Sequence, residues 1–298
     1  MNEFHFEEDT FFECQNSGLC CRTDWIIPVE KTKADRLAEL GPKLALAKTP
    51  GGTYRLNKVG SRCGFLTDTD HCRVHGEIGP EHKPLTCQVF PYTFTPTPDG
   101  TLVGLSHYCP SVRARIGTAL SEQSHSVEPL LEQLNLPSRT SGIVTLIGDQ
   151  TIGWTGYCEI EKKISELLES YPPAEVFWGA HLGFTENPKT WSRMDLDQLL
   201  TLPNSLQELD GPLRNLATLL KLELHSQINL VEENQKAYFR SLVRRKFLTK
   251  FGSITDNLAT LAVCALLLRW VRDPDECIQV LELHLTHGSG FPIDLFKS

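Results

Sequence analysis

Seven of the chain's ten cysteines fall between positions 14 and 109, and this crowding constrains the fold more than any other feature. Cys14, Cys20, Cys21, Cys63, Cys72, Cys87 and Cys109 share 96 residues, whereas Cys158, Cys264 and Cys277 are spread over the 189 that follow. Disulfides would explain such density in an oxidising compartment, but an odd count fits complete pairing poorly. In a reducing compartment the thiolates stay available as metal ligands or redox groups. The densest stretch is Cys14-Gln-Asn-Ser-Gly-Leu-Cys20-Cys21-Arg22. A Gly-containing turn can present several sulfurs to one centre, and thiolate is the soft ligand that zinc and iron–sulfur clusters prefer. Adjacent cysteines rarely both bind one tetrahedral ion, so Cys20 and Cys21 are expected to face different ways, one into the site and the other into a second site or the core. Cys63-Gly64-Phe65-Leu66, Cys72-Arg73-Val74, Cys87-Gln88-Val89-Phe90-Pro91 and Cys109-Pro110 each join a cysteine to turn residues or an apolar contact. The expectation is one small domain folded around metal, against the blander reading of core and surface thiols. His71, His75, His82 and His107 are candidate nitrogen ligands in the same segment, although each taken singly reads as a surface or hydrogen-bonded residue. Cys158, Cys264 and Cys277 sit on helical patterns and read as small core hydrophobes.

The order Cys14…Cys20-Cys21-Arg22, Cys63-Gly64-Phe65-Leu66, Cys72-Arg73-Val74, Lys83-Pro84-Leu85-Thr86-Cys87, Phe90-Pro91-Tyr92 and Cys109-Pro110 resembles the YkgJ-type cysteine-cluster family of zinc- or iron-chelating bacterial proteins. Cys20-Cys21-Arg22 followed by Trp25-Ile26-Ile27, and Trp154 to Tyr157 leading into a helix, resemble its flagellin lysine-N-methylase-like branch. The resemblance covers about the first third of the chain. It implies a metal centre on Cys14, Cys20, Cys21, Cys63, Cys72, Cys87 and Cys109, an iron–sulfur (4Fe-4S) cluster in preference to zinc, and an S-adenosylmethionine-dependent methyltransferase acting on an exposed lysine of a protein substrate. The sequence departs from the family pattern at Ser17, where many members have another cysteine, and at Lys83, where arginine is usual. The interval of 14 residues between Cys72 and Cys87 is also longer than the pattern suggests.

From about residue 11 to residue 110 the chain reads as short elements between turn residues. Trp25, Ile27 and Val29 alternate like a strand, and Glu30 to Leu40 has helical spacing stopped by Gly41-Pro42. Tyr92 to Thr95 and Thr101 to Leu105, joined through Pro98-Asp99-Gly100, predict a hairpin. Ser121 to Thr140 is polar, with Pro129 and Pro137, and Ile143 to Ile147 could be a strand. From about Tyr157 the period turns helical: Ile160, Ile164, Leu167 and Leu168 before Pro172-Pro173, then Leu213 to Leu224, Leu258 to Trp270, and Glu276 to Leu285. The expected class is therefore α+β, with a cysteine-cluster metal-binding domain over 1–120, a connecting segment over 121–155 and an α-helical domain over 156–298. No internal repeat or low-complexity tract interrupts it.

Charge narrows the function classes. With 29 Lys plus Arg against 37 Asp plus Glu the chain carries −8, which argues against binding nucleic acid over its whole surface. Arg240, Arg244, Arg245, Lys246 and Lys250 form a basic run on a helix, a candidate landing place for a negatively charged ligand but read in preference as a solvated face that complements the helix dipole. Trp154, Trp178, Trp191 and Trp270 read as packing residues. Met1 to Phe12 has no positive, apolar signal pattern, and Leu258 to Val271 is interrupted by Arg269 and too short for a bilayer, so a cytoplasmic protein without a membrane partner is expected. There is no GxGxxG after a strand, no GxxxxGK(S/T), no HExxH and no GxSxG, and no Cys-x3-Cys-x2-Cys for a radical S-adenosylmethionine site. The leading expectation is a metal-binding, iron–sulfur cysteine-cluster protein related to lysine N-methylases. The alternative from another class is a non-catalytic, zinc-stabilised protein-interaction module.

Overall fold

The computed structural model describes residues 3–23, 25–42, 45–134, 141–186, 233–270 and 274–287. Helices and several small sheets coexist in it, so the fold class is α+β. The chain divides into two units: one comprises Met1–Pro96 and Gly100–Pro137, the other Thr97–Asp99 and Ser138–Ser298.

The first unit holds two small hydrophobic clusters instead of one large core. In one, the Lys31–Leu40 helix presents Ala34 and Leu37 to Val29, Ala45, Phe65 and Val74. That helix stops at Gly41, whose N–H donates to the Leu37 carbonyl, as the Gly-Pro pair predicts. Beside it, Tyr54–Leu56 pairs antiparallel with both Pro28–Val29 and Leu46–Lys48. The strand expected around Trp25 to Val29 is thus only its last two residues. In the second cluster, Gly100–Leu105 lies between Phe4–Phe6, which runs parallel to it, and Tyr92–Thr97, its hairpin partner. Pro96 sits in the edge strand Tyr92–Thr97, where a missing N–H is tolerated. Val103 and Leu105 pack on Cys109, Val112, Leu120, Val127 and Leu131.

Val127 and Leu131 belong to a helix, Ser124–Glu132, inside the segment read from sequence as a polar connection. Their spacing of four buries one stripe, and Pro129 is accommodated within the helix. Residues 121–134 therefore pack into the first unit, while the hairpin of Ile143–Ile147 and Gln150–Gly153 belongs to the second.

The second unit is helical apart from that hairpin. Trp154–Ser170 buries Trp154, Tyr157, Ile160, Ile164 and Leu168 at the i, i+3, i+4 spacing that prescribes one apolar face. Pro173–Glu186 follows directly, so the Pro172-Pro173 pair that ends one helix also starts the next. Glu233–Arg244, Ile254–Trp270 and Pro274–Thr286 complete the described part, with Phe177, Phe184, Tyr238, Phe239, Leu242 and Leu258 fully or almost fully buried. Cys264 is buried in this core, and Cys158 and Cys277 lie against it. The helix expected over Leu213 to Leu224, and Trp191, lie outside the described residues. Among the described residues no helix is long and apolar enough to cross a membrane.

The basic run proves to be paired, not a solvated face. Arg240 bridges Glu233 at 2.9 Å, Arg245 is buried against Glu282, and Lys246 reaches Glu161. Lys250 donates to the Leu285 and Thr286 carbonyls at the end of the last helix. Charges that look solvent-facing in one dimension find partners on their own helix, as Arg240 does with Glu233, or on others, as Arg245 and Lys246 do.

Candidate metal centre

Four of the seven cysteines are delivered to one place by three short elements. Leu19–Arg22, a single 3-10 turn, carries Cys20 and Cys21; the strand Arg62–Cys63 ends on Cys63; and Cys72 immediately precedes the Arg73–Ile78 helix. The Cys21 sulfur lies close enough to the sulfurs of Cys20, Cys63 and Cys72 to interact with all three. Cys20 and Cys21 thus touch each other and do not part company as adjacent cysteines were expected to.

Local backbone explains the convergence. Gly18 opens the 3-10 turn at φ +68, and a Cβ there would lie 2.5 Å from the Asp70 carbonyl oxygen. Only glycine lets the turn close onto the loop that leads to Cys72. Gly64, next to Cys63, plays the matching part: its Cβ would meet Ala45 Cα at 2.6 Å. Asp70 then clamps the segments from outside, pairing with Arg22, which follows Cys21, and with Arg62 at 2.8 Å, which precedes Cys63. The Arg22 guanidinium, assisted by Arg62, holds the Asp70 carboxyl below its ordinary value. Asp70 and Arg62 were not singled out from sequence, and the only signal available was their nearness to cysteines.

The electrostatics favour thiolates at this point. Cys72 is lowered to about 6, first by the Cys21 hydrogen bond and then by the N–H groups of His75 and Val74 at the start of its helix. Cys20 is lowered to about 7, again chiefly by Cys21 with help from the Lys83 ammonium. Cys63 is lowered by Cys21 and by the Phe65 N–H. Cys21 moves the opposite way, raised because its one thiol proton is held among the neighbouring sulfurs of Cys20, Cys63 and Cys72 and because it is buried. Sulfurs whose ionisation is eased in this way are a soft donor set, which a cation would complete by displacing thiol protons.

The remaining cysteines stand at different removes. Cys87, on the Leu85–Val89 helix, is pushed up to about 12 by burial while feeling the charges of Lys83, Cys20, Cys63 and Cys72. Its helix is held by Glu30 Oε1, which accepts from Leu85 N at 2.9 Å, and by Lys33 Nζ, which donates to the Lys83 carbonyl at 2.7 Å. Cys109, buried before the Pro110–Arg113 helix, is raised by burial and feels Cys20. Cys14 is exposed, and its thiol faces Asn16 Oδ1 at 3.8 Å. Trp25, Phe90 and Tyr108 pack together with ring centroids 5.3 to 6.3 Å apart, each near a cysteine in sequence.

Of the histidines, His71 hydrogen-bonds Thr69 at 3.0 Å and His82 lies 3.5 Å from Glu81. His75 is lowered by burial and by Lys83, and His107 is buried. Among the described residues, no three of His, Cys, Asp and Glu are set around a point as a formed cation site has them.

No family model matches the chain, and no solved structure matches it. Over 105 residues, 34% of its length, it is 35% identical to an uncharacterized protein of Methanocaldococcus jannaschii. The match spans 37% of that relative.

Proposed function

We propose that Cys20, Cys21, Cys63 and Cys72 hold a thiolate-ligated metal centre, with Cys87 and Cys109 beside it, and that this centre is an iron–sulfur cluster. The observation that carries the reading is the convergence of Cys20, Cys63 and Cys72, from three chain segments, on the Cys21 sulfur. Core thiols with no further role have no reason to converge in this way, because clustered sulfurs that ionise repel one another unless a cation joins them. The preference for an iron–sulfur cluster over a lone zinc rests on the family resemblance, since four thiolates suit either. When bound, such a cluster supplies electron exchange and ties the segments together. The residues of the chain supply the sulfur ligands, the N–H groups of Phe65, Val74 and His75 aimed at them, and the compensating Lys83 charge.

The finer reading, an enzyme resembling the protein-lysine N-methylases that takes S-adenosylmethionine and an exposed lysine of another protein, rests on the family resemblance. The net charge of −8 would attract a cationic partner. The zinc-stabilised interaction module is the second reading. It is favoured by the small buried clusters of the first unit, which leave a structural metal much stabilising work to do.

Iron, zinc and acid-labile sulfide measured on anaerobically purified protein separate the two. Iron with matching sulfide supports the cluster; tightly held zinc without sulfide supports the module; neither metal removes both. Incubation with S-adenosylmethionine and candidate proteins, followed by mass spectrometry for methyl-lysine, tests the finer reading. Absence of both methylation and S-adenosylmethionine binding by metal-loaded protein refutes it.

A further inference from the structure

The sulfurs around Cys21 are not equivalent as partners for a covalent bond. Cys20 is joined to it by a trans peptide, and consecutive Cα atoms about 3.8 Å apart fall short of the span of roughly 4.4–6.8 Å that an unstrained disulfide needs. Cys63 and Cys72 come from other segments and are free of that restriction. Between these two the backbone favours Cys63. The strand Arg62–Cys63 runs beside the Leu19–Arg22 turn with Cα atoms within 8 Å, and its hairpin pairs Lys58 with Cys63 and Val59 with Arg62.

Asp70 adds a clamp at the same level. Its carboxylate takes Arg22, the residue after Cys21, and Arg62, the residue before Cys63, the latter at 2.8 Å. One carboxylate therefore holds the two cysteine-bearing segments side by side through bonds that involve neither sulfur nor metal. The thiols are also within reach of solvent: Cys21 and Cys63 are half-buried and Cys20 beside them is exposed, whereas Cys264 is enclosed in the helical core.

We propose that Cys21 and Cys63 close a reversible disulfide when no metal is bound, so that a hydroperoxide shuts the centre and a dithiol reopens it. This regulation rests on the reading of Cys21 and Cys63 as metal ligands. In the closing step one sulfur, as thiolate, attacks the peroxide and becomes a sulfenic acid as the first water leaves. The second thiol attacks that sulfur, forming the S–S bond and releasing the second water. Two thiols and one hydrogen peroxide thus give one disulfide and two waters. A metal needs both sulfurs as thiolates, so metal and disulfide exclude each other at the same two atoms.

The test uses the full-length chain, stripped of metal by a chelator, with hydrogen peroxide as oxidant and zinc ion alone as the metal probe. After brief oxidation and alkylation of the remaining thiols, fragmentation mass spectrometry should find Cys21 linked to Cys63, and dithiothreitol should remove the link. Cys72→Ser should keep the link and Cys63→Ser should lose it, which assigns the pair although Cys63 and Cys72 share one tryptic peptide. Zinc uptake should be lost on oxidation and return on reduction, and zinc-loaded protein should resist forming the link. A link of Cys21 to Cys20 or to Cys72, links between chains only, or sulfinic acids without any link overturn the proposal. Undiminished zinc uptake by the linked chain overturns the gating while leaving the metal centre standing. A reduced chain that takes up no zinc refutes the metal centre itself, and the gating with it.

Discussion

Replacing Gly18 by alanine should dismantle the sulfur site without touching a sulfur. Two costs add at this position. The φ of +68 charges an L-residue about 1–2 kcal/mol. The new methyl group would also sit 2.5 Å from the Asp70 carbonyl oxygen and 3.1 Å from Leu66 Cδ1. A backbone oxygen cannot swing aside, so the Leu19–Arg22 turn must lift off the loop, at about 1–3 kcal/mol more by analogy with overpacked cores. Lifting the turn carries Cys20 and Cys21 away from Cys63 and Cys72. Gly52 is the control, because it has φ +81 but nothing within 4 Å of its added Cβ, so Gly52→Ala incurs the dihedral cost alone. Hydrogen exchange read on peptides covering residues 14–75, together with bound metal per chain, separates the outcomes. Gly18→Ala should lose protection across Leu19–Arg22 and around Cys72 and lose most of its metal, whereas Gly52→Ala should retain metal. If both variants keep full metal and equal protection, the close approach of Gly18 to Asp70 does not build the site.

Cys21→Ser should abolish metal retention and Cys14→Ser should leave it unchanged, measured by elemental analysis; equal effects would contradict a centre built on Cys21 and its neighbours Cys20, Cys63 and Cys72. Metal affinity should weaken as pH falls through about 7 and then about 6, because Cys20 and then Cys72 regain protons that a metal must displace. A chelator competition series that is flat over this window would show that the thiolates are not ligands. Arg245→Met should destabilise the helical unit by about 3–5 kcal/mol in urea unfolding, since the Glu282 carboxylate would be left buried and unpaired. The double variant with Glu282→Leu should recover much of that loss, and failure to recover would locate the cost in packing instead.

How much could be read in one dimension depended on how local the cause was. The Lys31–Leu40 helix, the hairpin around Pro98-Asp99-Gly100 and the Ile160–Ile164–Leu168 stripe are each written in spacing and turn residues within a dozen positions. The helices Arg73–Ile78, Leu85–Val89 and Pro110–Arg113 were missed because four to six residues are too few to show a period. Pro172-Pro173 was read only as a stop, although proline at a first helical position is equally a start. The crowding of sulfurs was legible as composition. Which sulfurs meet was not, because it depends on Gly18 reaching Asp70, some fifty residues away in the chain, and on Asp70 gripping Arg22 and Arg62 together. Arg245 fails for the same reason: nothing near it in sequence announces Glu282, 37 residues further on.

X-ray absorption at the metal edge of protein purified without added metal tests the thiolate centre most directly, since it counts the atoms bound to the ion whatever its identity. A centre held by Cys20, Cys21, Cys63 and Cys72 gives a first shell of sulfur at about 2.3 Å, and in an iron–sulfur cluster a second, iron–iron shell beyond it. A first shell of nitrogen and oxygen, or an edge unchanged when Cys21 is replaced by serine, would contradict it.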